Sequence, residues 1–261
     1  GMAEPTVPES FYRNAIDLNR YSNSVAKKLI LSYNEIILDI TAQLAVIDDV
    51  TAPQTAARLR SMLGQLQESL GSWAIDSSNV TVQELQGLAE LQTGFVQDEL
   101  KKMLPRGNRN MVRTVEISPN FAKSVVTTDP TEINLMALPG ELERKVKRTF
   151  KLTDAEGTVI TLPNGETIEK AFRGIAKQQS ELFSKTVRNG LLTGETTQQI
   201  AKRLRGRLHF GQAGSIKQIA LAGGEGTKMA NNQITTIVRT SINQVSNSAS
   251  QKVYEANSDI F

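Results

Sequence analysis

The sequence predicts a mainly α protein of the α+β class. Its parts are a long-helix N-terminal bundle or arm and a helical C-terminal region with a small β-hairpin. Two observations predict this class. Apolar residues recur every three or four positions through most of residues 1–105 and 165–261, as they do on one face of an α-helix. Short β-favouring runs between turn residues are confined to residues 106–164. We therefore expect three regions, which are helical at 1–105, mixed at 106–164 and helical at 165–261.

Composition excludes several classes of protein. The 261 residues can form one large domain or two smaller ones, and 39% hydrophobic with 22% charged residues is ordinary for a soluble protein. No apolar run is long enough to span a membrane. We expect no secretory leader, because no basic, apolar, small-residue pattern marks one. The absence of cysteine excludes disulfides and thiolate zinc sites within this sequence.

Charge is unevenly distributed along the chain. Residues 1–100 contain 6 Lys/Arg and 13 Asp/Glu, whereas residues 101–261 contain 24 and 14. The basic half is suited to an anionic partner such as DNA, although ordinary solvated surfaces explain the imbalance equally well.

Three helices are predicted in the N-terminal region. The first runs from Glu9 to Ile47, because apolar residues step by threes and fours without Gly or Pro. A second helix, capped by Thr51, carries leucines every three or four residues and ends at Gly71–Ser72. A third begins at Thr81 and continues to Leu104. Short links between them predict an antiparallel bundle or an extended arm.

The middle region, 106–164, does not continue the helical pattern of the N-terminal region. β-favouring pieces occur at 111–117 and 124–127 and predict a strand pair or an extended arm. Two further β-rich runs, 149–153 and 158–162, flank the turn sequence Asp-Ala-Glu-Gly and predict a hairpin.

The C-terminal region returns to a helical pattern. A helix is predicted from Ile168 to Asn189, followed by a Gly-bracketed break and a short helix that Thr196 and Gln199 cap. Residues 211–228 are rich in Gly and predict a mobile loop around a short helix at 215–222. They lack the Gly-Lys-Ser/Thr order of a phosphate-binding loop.

The last predicted helix, 231–257, has an unusual composition. Its apolar stripe consists of seven small or aliphatic residues: Ile234, Ile237, Val238, Ile242, Val245, Ala249 and Val253. The remaining positions are mostly uncharged Asn, Gln, Ser and Thr, where a solvated helix carries Glu and Lys. Such a helix is expected to be buried on one side and to hydrogen-bond its neighbours on the other.

No catalytic pattern emerges. The single histidine, His209, has no carboxylate or cysteine partner nearby in the sequence. The acids Asp48 and Asp49 fall at a helix end, and the pairs Glu141/Glu143 and Glu166/Glu169 fall in mixed-charge segments where salt bridges explain them. We therefore predict no enzyme activity, no metal and no cofactor.

Two basic clusters are candidate contacts for DNA or for a protein partner. Each contains four Lys or Arg residues within six positions: Arg144, Lys145, Lys147 and Arg148; and Lys202, Arg203, Arg205 and Arg207. Such clusters can neutralise several phosphates without reading base sequence. Solvated faces or an acidic protein partner are the alternatives.

One motif resembles a known family. Arg239-Thr240-Ser241-Ile242-Asn243, followed by small residues, Tyr254 and Ala256-Asn257, resembles the Arg-Thr-x-x-Asn helix of the minor head, or head morphogenesis, proteins of tailed phages, the Mu F-like family. The sequence before this motif is also similar to the family: it predicts a helix, then a Gly-bracketed turn, then the pattern Thr-x-x-x-Ile-x-x-x-Leu. The resemblance therefore covers about 168–261. The family's Trp-containing segment and Asp-x-x-Thr motif with cysteines would follow Phe261 and are absent from the sequence.

The resemblance implies a non-enzymatic phage or prophage structural protein. Members of the family act in capsid assembly and in portal-associated DNA packaging or ejection. The implied partners are the portal protein and other head proteins, and the implied location is the interior of the phage head, after assembly in the host cytoplasm. The matching residues Arg239, Thr240, Asn243 and Tyr254 would fix the last helix against its neighbours. Two other classes stay open: a sequence-independent DNA-binding module, and a toxin-like effector enzyme of the kind fused to this family.

Overall fold

The computed structural model describes residues 6–47, 53–118, 162 and 166–261. Six α-helices and one 3₁₀ helix make up the regular structure of this part. They are α1 (Val7–Ala45), α2 (Pro53–Met103), a 3₁₀ helix (Arg106–Met111), α3 (Ile168–Leu192), α4 (Thr197–Arg205), α5 (Ile216–Ala222) and α6 (Glu225–Ala256). The mainly α class is confirmed. No strand occurs in these ranges, and the predicted hairpin falls almost entirely on 149–161, outside the described residues.

The chain forms two compact units, each assembled from separate stretches. The first unit comprises Gly1–Tyr21, Val80–Ile168 and Arg239–Phe261, and the second comprises Ser22–Asn79 and Glu169–Val238. Helices α1, α2 and α6 each contribute residues to both units. Since the middle region lies largely outside the described residues, the predicted division into three regions stays a prediction.

The predicted apolar face of α1 is confirmed over most of its length. In the second unit its buried members include Val25, Leu29, Tyr33, Ile40 and Leu44. Ile16, in the first unit, is 37% exposed and does not belong to the core. Burial of large side chains every three or four residues explains why a 39-residue helix is stable here.

The predicted break between a second and a third helix is wrong, because α2 is one helix of 51 residues. Gly71 and Ser72 lie inside it. The adjacent Trp73 is 5% exposed, and its Nε1 donates to Leu29 O at 3.3 Å and to Ser32 Oγ at 3.2 Å. Burial of this side chain outweighs the cost of about 1 kcal/mol that one helical glycine adds.

Of the two structures predicted for the β-favouring pieces, a strand is wrong at 111–117. In the first unit the 3₁₀ helix is followed by a stretch, 112–118, without regular secondary structure. Two side-chain amides of α2 donate hydrogen bonds to carbonyl oxygens of this stretch. Gln97 Nε2 donates to Val115 O at 3.3 Å, and Gln86 Nε2 donates to Ser118 O at 2.8 Å. These amides supply bonds that a partner strand would otherwise make. The second predicted piece, 124–127, lies outside the described ranges.

The short helices of the second unit begin where the sequence predicts. Thr196 Oγ1 accepts from Gln199 N while the Gln199 side chain accepts from Thr196 N, a complete capping box at the start of α4. Ser215 and Gln218 repeat the arrangement at the start of α5. Gly194, with φ of 81°, provides the turn between α3 and α4.

The prediction of a mobile loop at the end of the Gly-rich stretch is wrong. Gly223 and Gly224 are buried, and α6 begins at Glu225, six residues before the predicted start. A Cβ atom on Gly224 would collide with the carbonyl oxygens of Arg203 and Leu204. The backbone of Arg207 donates to Ala222 O at 2.6 Å. Glycine is therefore required here because the end of α4 packs directly on the α5–α6 junction.

The apolar stripe of α6 is confirmed in full. All seven predicted residues are buried, with exposed fractions between 0% and 7%. Within the described ranges, no helix combines the length and apolar character needed to cross a membrane.

Candidate interaction surfaces

Side-chain hydrogen bonds fix α6 in the first unit. Asn14 Nδ2 donates to Gln92 Oε1 at 3.0 Å, and Gln92 Nε2 donates to Ser250 Oγ at 3.1 Å. This relay joins α1, α2 and α6. It shows that part of the uncharged polar composition of α6 hydrogen-bonds neighbouring helices, as predicted.

The end of α6 is held by Asn257, whose side chain is 1% exposed. Its Oδ1 accepts from Arg113 N at 2.7 Å, and its Nδ2 donates to Val253 O at 2.8 Å. Close by, Arg113 forms a two-bond ion pair with Asp259, with distances of 2.9 and 2.6 Å. The guanidinium holds the pKa of the Asp259 carboxyl below its usual range.

The four family-motif residues lie elsewhere on α6. Arg239, Asn243 and Tyr254 are exposed and Thr240 is half-buried, whereas their neighbours Ser241 and Ile242 are buried. Tyr254 is 44% exposed, and its partial burial raises the pKa of the phenol. The motif therefore presents three side chains to the surface of the first unit.

Together with Asn247, these side chains form a strip along one side of α6, which the half-buried Ser250 interrupts between Asn247 and Tyr254. At 100° per residue, Arg239, Asn243, Asn247 and Tyr254 fall within about a quarter of the helix circumference, and all four are exposed. We call this strip the polar face of α6. Between Arg239 and Gln251 the only charged side chain is that of Arg239. An exposed helix face with one charge in thirteen residues is unusual for a surface that meets only water.

The second basic cluster is exposed on α4 and just after it. Arg203 is engaged within the second unit: it pairs with Glu195 at 3.1 Å and donates to Thr186 O at 3.5 Å. The side chains of Lys202, Arg205 and Arg207 form no ion pair or hydrogen bond in the described ranges. We call these three residues the basic surface. The first cluster, Arg144, Lys145, Lys147 and Arg148, lies outside the described residues.

A buried polar cluster occupies the core of the second unit. The Tyr33 hydroxyl donates to Gln179 Oε1 at 2.9 Å and is also hydrogen-bonded to Thr227. Burial raises the pKa of Tyr33 well above its ordinary range. Sequence reasoning missed this cluster. A signal existed, because Gln179 lies four residues from both Ile175 and Phe183 and thus falls on the apolar stripe of α3.

Those of the remaining candidates that the structure describes form no site. His209 is exposed. Nowhere in the described ranges do three His, Asp or Glu side chains gather in a group able to hold a metal ion. Glu169 pairs with Arg173 at 2.7 Å. Asp48, Asp49, Glu141 and Glu143 fall on stretches that the structure does not describe.

Comparison with known proteins identifies no relative. The chain matches no protein-family model, and no curated protein and no solved structure is significantly similar to it. Functional proposals therefore depend on the residues themselves.

Proposed function

We propose that this chain is a non-enzymatic minor head protein of a phage or prophage, which contacts the portal protein and acts in capsid assembly and in portal-associated DNA packaging or ejection. In this proposal the protein is located inside the phage head, and other head proteins are further partners. The observation that carries the proposal is the polar face of α6, because three of the four family-motif residues, Arg239, Asn243 and Tyr254, are exposed there.

The chemistry of that face suits a protein partner. Interface centres are depleted in charged side chains, because removing a charge from water costs more than removing an amide or a hydroxyl. Asn243 and Asn247 offer donors and acceptors, Arg239 offers a planar fork, and Tyr254 offers an amphipathic ring. Tyrosine and arginine are also enriched among the residues that dominate binding energies.

Co-purification tests the proposal. The full chain and the portal protein encoded in the same phage or prophage region are expected to co-purify. The double variant Asn243→Glu/Asn247→Glu places two negative charges on the face without touching the core. We expect it to weaken retention about tenfold or more, since each buried unpaired charge costs more than 1.4 kcal/mol.

The matched control is Gln65→Glu/Gln67→Glu, which adds the same charge at exposed positions of α2. It should retain the portal protein as the wild type does. Lack of co-purification by the wild type, or equal losses in both double variants, would refute portal binding through this face.

A further inference from the structure

The three residues of the basic surface are close together in the second unit. Lys202 and Arg205 are three positions apart on α4 and share one side of that helix. Arg207 follows after Gly206, whose φ of 63° turns the chain. The bond from Arg207 N to Ala222 O and the tight contact of Gly206 with Gly223 hold this turn against the α5–α6 junction. The cations are thus presented by a fixed backbone.

The stretch of chain that carries these cations contains charges of one sign. Residues 196–224 contain five Lys/Arg and no Asp or Glu. Of the flanking acids, Glu195 is paired with Arg203, and Glu225 lies in the first turn of α6. Lys27 of α1 adds a further cation near the α4–α5 connection, where its Nζ donates to Gly214 O at 2.9 Å.

We propose that the basic surface binds the phosphate backbone of duplex nucleic acid without reading base sequence. This inference goes beyond the proposed function and does not depend on it. Arginine forks match phosphate oxygens in pairs, and Lys202 adds a point charge. The exposed positions within α4 are Gln198, Gln199, Lys202, Arg203 and Arg205. Charged side chains are depleted at the centres of protein–protein interfaces, whereas phosphates require only donors and positive charge.

Salt dependence of duplex binding tests the proposal. Fluorescence anisotropy would follow the full chain binding a labelled 30-base-pair duplex of arbitrary sequence at several salt concentrations. We expect a dissociation constant of about 10⁻⁴–10⁻⁶ M at physiological salt. In Lys202→Gln/Arg205→Gln/Arg207→Gln the slope of log K against log salt should become less steep by about 2.7, since each lost phosphate contact removes about 0.9.

The matched control is Arg58→Gln/Arg60→Gln/Arg109→Gln, which removes three exposed cations elsewhere. Its slope should change by less than about 0.9, the value of one contact. Circular dichroism would verify that both variants remain folded.

Four outcomes would overturn the proposal. They are the absence of binding in the wild type, equal slope changes in the two variants, and a greater than tenfold preference between two unrelated duplexes. The fourth is a basic-surface variant that binds duplex normally but loses a protein partner, which would assign the surface to protein binding.

Discussion

The side-chain amide of Asn257 hydrogen-bonds both polar groups of the Arg113 backbone. Oδ1 accepts from the N–H at 2.7 Å, and Nδ2 approaches the carbonyl at 3.4 Å while also donating to Val253 O. In this way one residue at the end of α6 fixes a stretch of chain that has no regular secondary structure.

Asn257→Ala should lower the free energy of unfolding by about 1–3 kcal/mol, because it leaves the Arg113 N–H and two carbonyls without a side-chain partner. Urea denaturation followed by circular dichroism measures the change. Asn247→Ala, at an exposed position of the same helix, should change stability by less than about 0.5 kcal/mol. Equal effects would show that Asn257 has no special role.

Gly224→Ala should destabilise the protein by about 1–3 kcal/mol or more, since the new methyl group meets the carbonyls of Arg203 and Leu204. Gly64→Ala provides the opposite case. Its Cβ would meet nothing within 4 Å on an exposed helical surface, so stability should rise by about 0.5–1 kcal/mol. Thermal unfolding of the two variants should therefore move in opposite directions, and destabilisation by both would contradict this account.

Tyr33→Phe should cost about 1–2 kcal/mol at neutral pH, because Gln179 Oε1 loses its donor in the core. Tyr12→Phe, at a residue 70% exposed, is the control and should be nearly neutral. If Tyr33→Phe were as stable as the wild type, Gln179 would have to accept a hydrogen bond from another donor.

The same residue predicts a pH dependence. In the unfolded chain the phenol ionises near 10.0, whereas burial raises the pKa of Tyr33 in the folded protein. The stabilisation that the buried, neutral phenol of Tyr33 gives the folded protein is therefore complete below pH 10.0. It is lost as pH rises above that value. The wild type should lose about 1.4 kcal/mol per pH unit more than Tyr33→Phe in this range. Parallel stability curves above pH 10.0 would disprove the assignment.

Asp259 should titrate abnormally because Arg113 hydrogen-bonds it. Carbon-13 NMR of the side-chain carboxyls should give Asp259 a pKa below the ordinary 3.8, and Arg113→Gln should return it towards that value. The lowered pKa stabilises the fold above pH 3.8, and this contribution is lost as pH falls below it. Because both side chains are more than half exposed, added salt should weaken the shift. An unchanged pKa in the variant would assign the shift to another cause.

The sequence predicts helices well where the apolar period is uninterrupted, as in α1 and α6. It fails at Gly71 and Gly224, because whether a glycine ends a helix or permits a close contact depends on distant parts of the chain. The burial and hydrogen bonding of Trp73 stabilise α2 as one helix across Gly71, and the carbonyls of α4 occupy the space beside Gly224.

The same limit applies to the functional residues. The basic surface and the motif on α6 could be located from local composition. The hydrogen-bonding roles of Asn257 and Gln179 could not be predicted, since their partners Arg113 and Tyr33 are 144 and 146 positions away in the chain. Burial of an amide on an apolar stripe was the only local signal.

The boundaries between the two units fall at 21/22, 79/80, 168/169 and 238/239. Three of them lie inside α1, α2 and α6, and the fourth follows the first residue of α3. Deletion mapping of this protein would therefore remove material from both units: cutting away residues 1–105 takes parts of each, and no cut in a connecting loop leaves either one whole. Functions of the two surfaces are better separated by point substitutions, which leave all three shared helices intact.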